Sequence, residues 1–85
     1  MTDQEFDILD ELYFVTSYAE LQEKTGLPDH ELREGLRGLI AMNYAKCLYP
    51  DQDTVVPFDP EHFAVEGHNY FFLATKAGLL THNTR

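Results

Sequence analysis

The sequence predicts a small α+β domain built from three helices, a small antiparallel β-wing and a short C-terminal helix. Three observations predict it. Capping residues and apolar side chains at helical spacing fill residues 2–43; β-formers and aromatics concentrate at 44–49 and 70–74; and Gly26, Pro28, Asn43, Pro50 and Gly67 punctuate the joints between them.

The first helix starts at a capping-box pattern, Thr2 followed three residues later by Glu5. Phe6, Ile8, Leu9, Leu12 and Tyr13 fall within one wide arc, with Asp7, Asp10 and Glu11 on the other side. Ser17 and Glu20 repeat the box for a short second helix, which Gly26 ends because glycine accepts the left-handed position past a C-terminus. Leu27 can fold back on Leu21, and Glu20 with Lys24 makes an i,i+4 pair. Asp29 is a candidate N-cap for a third helix over about 30–42, carrying the apolar stripe Leu32, Leu36, Leu39 and Ile40 and closing at Asn43. Two helices joined by a short turn containing glycine form a helix-turn-helix, here about 17–43. Gly35, beside the stripe, implies close packing, and Gly38 implies a bare contact surface, since each costs helix stability.

Tyr44–Tyr49 reads as a strand, Pro50–Asp53 as a turn, and Thr54–Phe58 as a return strand that Pro57 confines to an edge. Asp59-Pro60 opens one helical turn, Gly67-His68-Asn69 breaks the chain, Tyr70–Ala74 is a strand, and Thr75 caps a last helix through Leu80. The extended wing thus spans about 44–74, within a single domain covering residues 1–85.

Eighty-five residues suffice for one domain and not for two, and 44% hydrophobic content with five Tyr and six Phe excludes a disordered tail. No apolar run approaches the ~20 residues of a membrane-spanning helix. The acidic N-terminus lacks the basic flank of a signal peptide, and the single Cys47 excludes an internal disulfide. Together these imply a cytoplasmic protein.

The helix-turn-helix positions Ala19, Leu21, Gly26, Leu32, Leu36, Leu39 and Asn43 resemble those of bacterial winged-helix transcriptional regulators. Phe72-Leu73-Ala74-Thr75-Lys76-Ala77-Gly78 resembles the strand-to-helix step that closes the wing in regulators of the multiple-antibiotic-resistance type. The likeness covers residues 5–49 and 70–80. It implies a winged helix-turn-helix fold and a transcriptional regulator that binds DNA through its third helix. Two departures stand out. Such regulators usually start that helix with Ser, Thr, Arg or Lys, where this chain has Asp29, His30 and Glu31. Their wing tip is usually basic, whereas this one carries Asp51 and Asp53, and the inserted stretch Phe58–Asn69 adds Asp59, Glu61 and Glu66.

Charge decides how far the implied function reaches. Six Lys and Arg face fifteen Asp and Glu, for a net charge of −9. Residues 1–16 carry five acids and no base, 17–43 a net of −2 and 44–74 a net of −4, so no part of the reading surface is basic. DNA affinity comes largely from neutralising phosphates, so this balance disfavours DNA. The candidate contact residues for a nucleic acid or a protein partner are His30, Arg33, Glu34 and Arg37 on the outer face of the third helix. Arg33 and Arg37, one turn apart, could straddle a phosphate or guanine edge. The plainer arrangement pairs Arg33 with Asp29 and Arg37 with Glu34 on a wet helix face.

Phe14, Tyr49, Phe58, Phe63 and Tyr70 exceed what so small a core would be expected to bury, which makes them candidate interface residues for a homodimer or a protein partner. The alternative is a satellite cluster inside the wing. His30, His62, His68 and His82 lack metal-ligand spacing, Cys47 lies in a strand without a nearby His, and no glycine-rich phosphate loop follows a strand. No metal, cofactor or catalytic residue is therefore expected, and the chain reads as a non-enzyme. Two functions follow. The resemblance puts a DNA-binding regulator first; the charge favours an acidic protein-protein interaction module that leaves DNA alone.

Overall fold

Among residues 1–84, which the computed structural model describes, four of five α-helices open on a side-chain cap. In α1 (Asp3–Asp10) the Thr2 hydroxyl accepts from the Glu5 N–H at 3.1 Å, while the Glu5 carboxylate accepts from the Thr2 N–H at 2.7 Å. The Ser17 hydroxyl caps α2 (Tyr18–Thr25), which stops at Gly26 with φ of 68°. Lys24 turns to Glu11, the C-cap of α1, at 4.0 Å, instead of Glu20, whose carboxylate accepts from the Ser17 hydroxyl. The expected Glu20–Lys24 pair therefore gives way to a contact between helices.

The third helix, α3 (Asp29–Ala41), is the uncapped one. Pro28 occupies its N-cap position, and Asp29 sends its carboxylate sideways to Tyr18 and Arg33 instead of capping. Beyond Asn43, at φ of 60°, the chain enters β2 (Ala45–Leu48). The return strand β3 is only Val55–Val56, because Pro57 has no N–H to extend the ladder. Asp59 accepts from the N–H groups of Glu61 and His62, and the expected single helical turn grows into α4 (Pro60–Glu66). A 3-10 turn (Gly67–Asn69) leads to β4 (Phe71–Ala74), and Thr75 caps α5 (Lys76–Asn83), which runs past Leu80.

The four strands form one antiparallel sheet in the order β1–β4–β2–β3, where β1 is Thr16–Ser17. At two residues β1 is too short for any periodicity to announce it. Thr16 is fixed there by donating its hydroxyl to the carbonyls of Glu11 and Phe14. The expected α+β class holds, and to the three helices and short C-terminal helix expected the fold adds α4 between β3 and β4.

The core gathers on one face of the sheet. Ala45, Cys47, Phe72 and Ala74 meet Ile8, Leu9 and Leu12 of the first segment, Leu21 of α2, and Leu32, Leu36 and Leu39 of α3. Phe71, next to Phe72, falls by strand alternation on the opposite face, outside the core. Tyr13 is also exposed; its hydroxyl binds His82 and Asn83, while Phe6 stacks on the His82 ring at 4.4 Å. A Cβ at Gly35 would collide with Ile8, as close packing requires. Gly38 is not bare, because the buried Glu5 carboxylate lies over it. No helix among the described residues is long and apolar enough to cross a membrane.

Candidate interaction face on α3

The outer side of α3 carries all four contact residues expected there, and the fold treats them differently. His30 and Glu34 are exposed and line a cleft of about 270 Å³ against the start of α1, with Thr2, Gln4, Glu5, Glu31 and Gly35. Arg37 is exposed and lies 3.8 Å from Glu34. Arg33 is held on every side.

The Arg33 Nε sits 3.1 Å from both Asp29 carboxylate oxygens. One terminal nitrogen donates to the Phe63 carbonyl at 3.0 Å and reaches the Ala64 carbonyl at 3.5 Å. Its guanidinium lies 5.4 Å from the centre of the Tyr18 ring and 5.5 Å from that of Phe63. Only 21% of the side chain remains exposed. Arginine suits this position because its planar donors bind carbonyls and a carboxylate together while its faces stack on rings. Gly67 makes room: a Cβ there would sit 2.8 Å from the Arg33 nitrogen and 3.2 Å from the Phe63 ring.

Tyr18 completes the network by donating its hydroxyl to Asp29. Burial, followed by the Asp29 carboxylate, pushes the Tyr18 pKa up to about 12. The Tyr18 hydroxyl, followed by Arg33, holds the Asp29 carboxyl below its ordinary value. These shifts describe one locked unit: an acid kept ionised, a phenol kept protonated and a cation fixed between them.

The aromatics of the wing account for the lock. Phe63 is fully buried and Tyr70 nearly so, and both belong to the main core. Phe63 packs its ring edge-on to Tyr70 at 5.8 Å and to Phe72 at 6.2 Å. Tyr49 and Phe58 are half-buried against the same core, and the Tyr70 hydroxyl is hydrogen-bonded to His62 Nδ1. The expectation that these side chains stay exposed is therefore corrected. The insertion folds back over α2 and α3 and enlarges the core instead of forming a satellite. Phe14 alone of the five is open, at 82% exposure.

Sequence reasoning missed Tyr18 and Gly67 as members of this face. Gly67 read only as a chain break and Tyr18 carried no signal of its own; their joint role depends on where α4 lands, which no local signal encodes. Cys47 is buried, donates to the Val56 carbonyl at 3.4 Å, and has its pKa raised by burial, so it is a poor nucleophile. Among the described residues, no three or more His, Cys, Asp or Glu side chains are grouped to hold a metal ion. Comparison of the chain with family models, with curated proteins and with solved structures finds no match.

Proposed function

We propose that the chain is a cytoplasmic winged helix-turn-helix protein of regulatory type that acts through protein contacts and does not read duplex DNA. The winged-helix part rests on element order: α1, β1, α2, α3, β2 and then β4, which returns between β1 and β2. The likeness to bacterial regulators supports the regulatory part. The observation that carries the rest is Arg33 locked beneath the carbonyls of α4.

A DNA-reading helix needs free cations at its outer face. Here Arg33 is consumed internally, which leaves Arg37 beside Glu34, with Glu31 exposed nearby. The wing turn adds Asp51, whose carboxylate accepts from Thr54 and the Asp53 N–H. Docked on a duplex, these carboxylates would meet phosphates at short range with little counterion release to offset the repulsion. The helix-turn-helix itself, with its left-handed Gly26 and exposed His30 and Arg37, favours the second reading, a DNA-binding transcriptional regulator.

Fluorescence polarisation with mixed-sequence duplex DNA at low and physiological salt separates the two. The expected result is no binding by the native chain near physiological salt, and weak, salt-sensitive binding gained by Glu31→Gln/Glu34→Gln. Micromolar binding by the native chain that Arg37→Ala abolishes would establish the DNA reading instead.

A further inference from the structure

We propose, building on the protein-contact reading above, that the cleft between the first turns of α1 and α3 seats an arginine side chain of a partner protein, with Glu5 as its acceptor. The cleft follows from how the two helices meet. Gly35 and Gly38 let α1 lie directly on α3, since a Cβ at either would collide with Ile8 or with the Glu5 carboxylate. Toward the helix N-termini the contact opens into about 270 Å³ of space, with Gln4 and Glu5 on one wall and His30, Glu31 and Glu34 on the other. Pockets for drug-sized ligands run from ~300 Å³ upward, so this one suits a single long side chain.

Glu5 sets what that side chain must carry. It is only 9% exposed, yet its carboxylate is half used. One oxygen accepts from the Thr2 N–H at 2.7 Å, as the capping box requires. The other lies over Gly38 and receives no hydrogen bond or ion pair from any described residue. A nearly buried acceptor in that state is one that a donor from outside can satisfy, and a cationic donor gains most. Three bases of this chain are committed elsewhere: Lys24 turns to Glu11, Arg33 is locked under α4, and Arg37 stays with Glu34 at 3.8 Å.

The rim selects an arginine, and one held in a polypeptide. Glu31 and Glu34 are exposed at the mouth. A planar guanidinium, with its fork of donors, can engage a rim carboxylate while it donates to Glu5, whereas an ammonium is a point charge. The Arg37–Glu34 pair, with its side chains 45% and 60% exposed, is weak enough to exchange with an incoming cation. The same two rim acids repel the α-carboxylate of a free amino acid, which a residue inside a chain lacks. The net charge of −9 attracts a basic segment from a distance.

Nuclear magnetic resonance titration of the isotope-labelled full chain with a capped Gly-Arg-Gly peptide should shift the amides of Gln4, Glu5, Glu31 and Gly35. Saturation is expected at about millimolar peptide, as befits one side chain. The matching citrulline peptide, of the same shape without the charge, should bind at least about tenfold more weakly, and free arginine at least about threefold more weakly. Glu5→Gln keeps the cap, because glutamine also accepts from the Thr2 N–H, but it replaces the unused oxygen with a donor. It should weaken the arginine peptide at least about tenfold with circular dichroism unchanged. Glu23→Gln removes one exposed charge from α2 and should change binding by less than about twofold.

Undiminished binding by Glu5→Gln, or an equal loss in Glu23→Gln, would overturn the site and reduce the attraction to net charge alone. A citrulline peptide as tight as the arginine peptide would overturn the cation. Free arginine as tight as the peptide would overturn the protein source and point to a small guanidinium ligand. The absence of any shift up to about ten millimolar peptide would overturn the whole assignment. The two possible failures are separable, because duplex polarisation tests the protein-contact reading and these titrations test the cleft.

Discussion

Residues 17–43 and residues 49–70 are built by different rules. Residues 17–43 are organised by hydrogen bonds a few residues long: Ser17 to Glu20, Gly26 to Gln22, and a core stripe repeating every three or four positions. Residues 49–70 are organised by where they land. Phe63 reaches Phe72 and Tyr70, and its carbonyl receives Arg33 from thirty residues upstream. Neighbours encode the first region, whereas the second is encoded by a surface that exists only after the first has folded. The second region thus closes over α3, where its carbonyls take up Arg33.

The sharpest test of that difference is Phe63→Ala. Removing a fully buried ring that bridges the wing and the sheet should cost about 3–5 kcal/mol, seen as a large fall in the urea midpoint. A loss below about 1 kcal/mol would mean that the insertion is peripheral and the contrast false.

What was legible in the sequence follows the same division. The caps at Thr2, Ser17, Asp59 and Thr75, and the stops at Gly26 and Asn43, were readable because each is a side-chain or backbone requirement met within four residues. Asp29 misled for the converse reason: a good local cap was claimed by a distant partner, Tyr18. Phe63 and Tyr70 were judged surplus to a core counted without α4, yet α4 is what supplies their space. On the candidate face, the Arg33–Asp29 and Arg37–Glu34 pairs could be written down from spacing alone. The carbonyls of Phe63 and Ala64 that make the first pair structural could not.

The Tyr18–Asp29–Arg33 lock should respond to substitution and to pH. Arg33→Ala leaves the Phe63 carbonyl without its donor and Asp29 without its cation, and should cost about 1–3 kcal/mol. Tyr18 ordinarily ionises at 10.0 and here at about 12. Between those values the unfolded chain has released the proton while the native chain keeps it. The contribution of Tyr18 to stability is thus complete below pH 10.0 and declines as pH rises toward about 12. Asp29 works at the other end: its contribution is present above the ordinary carboxyl value of 3.8 and is lost as pH falls through the lowered native one. In a tyrosinate absorbance titration Tyr18 should ionise late, and Asp29→Asn should bring it earlier. An unchanged Tyr18 titration in that variant would rule out the coupling.

Replacing the Ser17 cap has a smaller, local consequence. Ser17→Ala should lower stability by about 1 kcal/mol, because the Glu20 N–H at the start of α2 loses its acceptor. Amide exchange should speed up at the first turn of α2 and leave α4 unchanged. Equal acceleration in α4 would show that the wing depends on the local code after all.

Arg37→Ala should have the smallest effect, and it isolates what the surroundings of Arg33 add. Arg33 and Arg37 are one helical turn apart on the same side of α3, each paired with an acid on its own helix. Spacing offers each an acid, but the surroundings differ: Arg33 is hydrogen-bonded to Asp29 at 3.1 Å, lies over the Tyr18 ring and is reached by α4, whereas Arg37 lies 3.8 Å from Glu34 and remains 45% exposed with that partner at 60%. An exposed pair of this kind holds two flexible side chains in one geometry for a screened attraction, and usually contributes between nothing and about 1 kcal/mol. The expected change for Arg37→Ala is therefore within about 0.5 kcal/mol and shrinks further in salt, against the larger and nearly salt-independent loss for Arg33→Ala. Parallel urea titrations of the two variants at low and high salt read that difference directly. Equal losses would mean that the Asp29, Tyr18 and α4 contacts of Arg33 together add nothing beyond a wet surface pair.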